Sequence, residues 1–328
     1  YVIFPLAFWA LAGDLYTTSE SQRLFPIIAA GAALGSVLGN GLAAGAGVVF
    51  ETRPQNVSLL LSLGVLLFLV AFVLLRLLFR GRTVRARQAR ETGARVKETV
   101  QVGFDVIWNV PLFRYLGLAM LLVGLAFTIV EYHFLFSVDR SFTADPLKFQ
   151  TFYGAYKAAL IAATWLLQWL VTGRLLRRVQ LRSAFVPLPA ALIAAAGGAL
   201  AIPGIIGGAG GRFLGRLVQR AWDEPARKSV EGLVPDERRG RVSAFVDSYG
   251  YAAATIVGSL LLGGLFLASS LGWLPERAMI AIYLGVATCS AAAGLWSSLR
   301  LRAVYDQSLL NWRLARSRRK SVLDGIEF

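Results

Sequence analysis

Three arginines, Arg212, Arg216 and Arg220, recur at every fourth position of the apolar stretch GIIGGAGGRFLGRLVQRAW. On a helix that spacing lines them up as one stripe. A guanidinium fork matches the oxygens of a phosphate or carboxylate, so such a stripe reads as a path for an anion. Arg212 lies well inside its stretch, and Lys157 lies well inside another, FQTFYGAYKAALIAATWLLQWL. At ~1.5 Å per residue each is roughly 13 Å deep. Ionised groups at that depth are costly and usually face a wet cavity or a pathway. The expectation is a water-filled, anion-receiving chamber at Arg212 and Lys157, with Arg216, Tyr153 and Asn40 completing the binding set. Arg216 and Arg220 are also near enough to the interface to snorkel into it.

The acids are fewer. Asp223, Glu224 and Arg227 follow the arginine stripe, Asp247 lies in the inner third of its stretch, and Asp14 closes the first one. With Arg220 these are expected to make gating contacts on the inner side. Glu131 and His133, in TIVEYHFLF, fall toward the outer end of their stretch. A histidine near a glutamate can relay protons, because its charge changes near neutral pH; a pair capped by outside water is the plainer reading. The glycines around Arg212 leave room for a ligand or a kink. No Ser/His/Asp set, paired carboxylate or metal-ligand spacing recurs at one depth, which argues against an enzyme and calls for no metal or cofactor. The single cysteine, Cys289, can form no disulfide within the chain.

The elements that position these groups are apolar helices. The chain has 328 residues, 56% hydrophobic and only 16% charged. Soluble domains carry about a quarter charged residues, so the deficit marks a membrane protein. A helix needs about 20 apolar residues to cross the hydrocarbon. Such spans are expected near 24–50, 56–79, 113–137, 149–171, 184–202, 204–222, 242–268 and 276–299, after a partial one at 1–14. The 80–97 gap holds seven basic residues, and further clusters follow at 174–182, 227–241 and 300–320. The alternate gaps hold only Arg53, Arg140 and Lys148, with Arg277 at a helix edge. Basic gaps face the cytoplasm, which makes the chain a multi-pass protein, expected in a bacterial inner membrane. The formal charge of +15 is then a cytoplasmic collar contacting membrane lipid, and no nucleic-acid partner is expected. Residues 1–79 should form the remainder of a first bundle, 80–112 a basic linker with an amphipathic helix, 113–299 a six-helix bundle, and 300–328 a basic cytoplasmic tail.

Two bundles joined by a basic linker resemble the major facilitator superfamily. The segment FWALAGDLYTTSESQRLFPIIAAGAALGSVLGNGLA (8–43) is similar to the fourth and fifth helices of ATP/ADP translocase-type nucleotide transporters. YGAYKAALIAATWLLQWLVTGRLLRR (153–178) and RAWDEPARKSVEGLVPDERRGRVSAFVD (220–247) resemble the same branch and its bacterial relatives, some of which carry HEAT-repeat or cyclic-nucleotide-binding domains. The resemblance implies an all-α integral membrane fold in which helices four to twelve of twelve are visible. It also implies a secondary transporter of an organic anion, such as ATP, ADP or another phosphorylated metabolite, working by alternating access and antiport. Two further readings fit the pattern: a transporter-like sensor coupled to a cytoplasmic regulatory domain beyond the chain, or a lipid transporter on this fold.

Overall fold

The computed structural model describes residues 31, 34–45, 58–78, 111–143, 145–168, 183–231 and 250–323. Among them all regular structure is helical. The helices are α1 (34–45), α2 (Ser58–Leu78), α3 (Pro111–Phe142), α4 (Pro146–Leu167), α5 (Pro187–Ala201), α6 (Ile205–Val218), α7 (Glu224–Glu231), α8 (Gly250–Ser270) and α9 (Glu276–Leu323). A single π turn, Gln219–Asp223, joins α6 to α7 without a break. Asp14, Asp247 and the basic linker with its expected amphipathic helix lie outside the described residues.

Prolines set several starts. Pro111, Pro146 and Pro187 each open a helix, where the missing N–H goes unneeded. Asp145 strengthens the α4 start by accepting the Lys148 backbone N–H at 3.0 Å. The neighbouring Lys148 side chain holds the Asp145 carboxyl below the usual carboxylate range.

The chain divides into two compact units, 1–94 with 142–163 and 95–141 with 164–328. In the first, α1 and α4 come close enough that a Cβ on Gly154 would sit 2.7 Å from the Ala44 backbone nitrogen and 2.9 Å from the Asn40 carbonyl. Small residues permit that approach. The described large apolar side chains of α2, from Leu63 to Leu77, are exposed, as befits a surface meeting acyl chains.

In the second unit the core joins α3 (Ala126, Phe127, Ile129, Val130), α5 (Leu188, Leu192, Ala195, Ala196, Ala199) and α9 (Met279, Tyr283, Leu284, Ala287, Ala291), with Leu262 of α8 at its edge. α3 and α9 run antiparallel and are tied four times. Arg140 pairs with Glu276, His133 Nδ1 meets the Tyr283 hydroxyl at 2.8 Å, Ser290 donates to the Leu122 carbonyl at 2.8 Å, and Ser297 donates to the Tyr115 carbonyl at 2.9 Å. The α9 members fall at 276, 283, 290 and 297, seven residues apart, so they share one face. Three described helical stretches, Pro111–Phe142, Gly250–Ser270 and Glu276–Tyr305, are long and apolar enough to cross a membrane.

Two expected boundaries move. The span set at 113–137 runs on to Phe142, because Arg140 finds Glu276 and the polar turn Ser137–Phe142 stays helical. The helix that holds the last expected span does not stop at 299. The helix continues to Leu323, so residues 300–323 prolong it by 24 residues, ~36 Å at the helical rise.

Candidate functional site

α6 carries Arg212 and Arg216, and its glycines decide how close they come to α3. A Cβ on Gly211 would lie 2.8 Å from the Ala195 carbonyl of α5. One on Gly208 would lie 3.2 Å from Ser137 Oγ and 3.4 Å from Phe134 Cα of α3. Gly215 fits against Leu192 and Phe127 in the same way. These glycines therefore seat α6 against its neighbours; the room for a ligand expected around Arg212 is taken up by helix packing at these positions. The break in α-helical geometry comes after them, at the π turn.

That close packing brings Glu131 of α3 between two guanidinium groups. Arg212 Nη2 donates to Glu131 Oε1 at 2.5 Å, and Arg216 donates to Oε2 through Nη2 at 3.0 Å and Nε at 3.3 Å. Both guanidiniums lie over aromatic faces, Arg212 at 4.4 Å from the Phe134 ring centre and Arg216 at 4.3 Å from that of Phe127. Arg212 is 3% exposed, whereas Arg216 and Glu131 are 21% and 24% exposed. Two cations facing one carboxylate leave a surplus positive charge in this cluster.

With α3 extended to Phe142, Glu131 lies eleven residues inside the helix, ~16 Å from its C-terminal end at the helical rise. It does not relay to His133. The two side chains leave α3 in different directions, Glu131 to α6 and His133 to Tyr283 of α9, as residues two apart on a helix must. The open chamber expected beside Arg212 is filled by Glu131 and Phe134.

The cluster continues toward the π turn. Arg216 Nη1 donates to Gln219 Oε1 at 3.1 Å. Gln219, Asp223 and Arg227 then line one side of a cavity of about 40 Å³ whose other walls include Met120, Phe127 and Leu188. Asp223 and Arg227 are paired at 3.9 Å. Burial pushes the Asp223 carboxyl up to about 6, with Arg227 pulling it down and Glu224 adding to the rise. The Arg220 carbonyl accepts the Gln168 amide at 3.0 Å, and Glu224 is exposed at the start of α7.

In the first unit, Lys157 lies over the Tyr153 ring, 5.2 Å from its centre, and among the described residues no carboxylate pairs with it. Asn40 turns back on its own helix, donating to the Ser36 carbonyl at 2.7 Å. Gln219, the two phenylalanines and Tyr283 were not among the residues expected from sequence. Their signals were weak: phenylalanine is abundant in any span, and Gln219 gains meaning only from Arg216 three residues before it.

Long apolar helices, exposed apolar faces on α2 and α8, and ionised groups paired inside the second unit define a multi-pass integral membrane protein. A profile of the TLC ATP/ADP transporter family matches residues 1–200, and the chain belongs to that family. Neither the curated proteins nor the solved structures contain a match to it.

Proposed function

We propose that the protein moves a nucleotide or similar phosphorylated anion across the membrane by alternating access, with two helix bundles arranged as in the major facilitator superfamily and with exchange of one anion for another. The observation that carries this reading is the cluster of two arginines on one glutamate, held by aromatic rings on the second unit. Forked donors carrying surplus charge suit phosphate oxygens. Membership of a family described by ATP and ADP transport supports the same substrate class. Lys157, which lacks a carboxylate partner among the described residues, is assigned a cationic contribution of its own on the first unit.

The test is exchange in proteoliposomes loaded with ADP and supplied with labelled ATP outside. The wild-type protein takes up label only when the lumen holds a nucleotide. Arg216→Gln lowers that uptake at least about tenfold, the scale of one charge-assisted contact, while Arg140→Gln, on the exposed pair with Glu276, leaves it nearly unchanged. Equal uptake by Arg216→Gln and wild type removes the cluster from the transport pathway.

A further inference from the structure

Glu131 already stands where an anion would have to bind. Its two oxygens serve the two arginines separately, Oε1 to Arg212 and Oε2 to Arg216, as two oxygens of one phosphoryl group could. We infer that Glu131 is an internal counter-anion that a substrate phosphate displaces, so that one pair of guanidiniums serves the empty and the loaded protein in turn. The inference rests on the anion-transport reading above.

Three features support exchange over a fixed structural pair. The guanidiniums have an anchor other than Glu131: each lies over its own phenylalanine ring, Phe134 or Phe127, a cation–π contact that does not depend on the carboxylate. Burial is uneven. Arg212 is nearly sealed, but Arg216 and Glu131 keep about a fifth to a quarter of their side-chain surface open, so an incoming anion meets this carboxylate and this arginine first. The charge count is unbalanced as well, and a released Glu131 needs only to rotate away from cations that have gained another partner.

The arrangement has a consequence for turnover. Two arginines stripped of any anion in an apolar span would be costly, so an empty protein without Glu131 would be held in whichever state keeps them wet. With Glu131 present, the empty site is compensated, and the carboxylate competes with bound substrate and promotes its release. Removing that competitor should tighten binding while slowing exchange. A merely structural ion pair predicts the opposite for binding, since its loss loosens the site.

The decisive measurement is ADP binding to the purified full-length protein by calorimetry, for wild type and Glu131→Gln, with inorganic pyrophosphate as a second probe. The expected result is a Kd about tenfold lower in Glu131→Gln, together with slower ADP/ATP exchange in proteoliposomes. Unchanged or weaker binding by Glu131→Gln, where wild type binds ADP, overturns the displacement and leaves the transport reading standing. Absence of binding of either probe to wild type overturns the transport reading itself. A second measurement needs no variant. Wild-type protein is treated with a hydrophobic carbodiimide, and modification of Glu131 is followed by peptide mass spectrometry. ADP should speed that modification several-fold by freeing the carboxylate; no change, or protection, overturns the inference.

Discussion

Asp223 and Glu131 are two acids on opposite terms with their surroundings. Glu131 lies between two arginines, whereas Asp223 has Arg227 at 3.9 Å and an apolar cavity wall beside it. Asp223 comes first after the expected apolar span, and burial raises its carboxyl to about 6 from an ordinary 3.8. The sign follows from that direction. A raised carboxylate binds its proton more tightly in the folded protein than in the unfolded chain. Its ionisation therefore carries no penalty below about pH 4 and an increasing one as the pH climbs through 6. Above pH 7 the penalty is complete, on the order of 3 kcal/mol at 1.36 kcal/mol per pKa unit. Thermal unfolding in detergent should thus show wild-type stability dropping between pH 4 and pH 7 relative to Asp223→Asn, with the two curves parallel above pH 7. Curves parallel across the whole range would mean that Asp223 is not held in the buried setting described here.

At the scale of elements, the contacts that matter most are backbone approaches made at glycine. Gly210 and Gly211 are neighbours on α6 with contrary surroundings: a Cβ on Gly210 meets nothing within 4 Å, and one on Gly211 meets the Ala195 carbonyl at 2.8 Å. Gly210→Ala should leave stability unchanged or raise it by up to about 1 kcal/mol, the helix-propensity gain. Gly211→Ala should cost about 1–3 kcal/mol, as overpacking does, because a backbone carbonyl cannot rotate aside. It should also weaken anion binding by shifting Arg212 out of line with Arg216. Differential scanning fluorimetry on the two variants checks the contrast, and equal effects would refute it. This pair also shows what the sequence discloses and what it withholds. The spans were legible because apolar length, prolines and basic gaps are local signals, and Pro111, Pro146 and Pro187 open helices within a few residues of the expected starts. Which of two adjacent glycines faces α5 was not legible, since it depends on the rotation of α6. The ties between α3 and α9 were hidden for another reason. Ser290 and Ser297 donate to carbonyls of Leu122 and Tyr115, and a backbone acceptor has no side-chain signature. The partnership of Arg212 with Glu131, 81 residues apart, was concealed because it depends on how α3 and α6 are rotated toward each other.

For the whole molecule, the distribution of charge sets how the chain sits in its membrane. The basic residues of the 80–97 gap and of the 300–320 segment form large same-sign clusters. The sparse cations of the alternate gaps are different: among the described residues Arg140 is paired with Glu276, and Lys148 with Asp145. Lysine and arginine counts, more than net charge, decide orientation. The 80–112 gap should therefore face the cytoplasm, and the turn between α8 and α9, where Trp273 is 78% exposed, should face the opposite side. Replacing the one native thiol by Cys289→Ser gives a background in which Arg87→Cys and Trp273→Cys report the two faces separately. A membrane-impermeant maleimide added to right-side-out vesicles should label Trp273→Cys and spare Arg87→Cys, and inverted vesicles should reverse the pattern. Labelling of Arg87→Cys from outside would invert the topology.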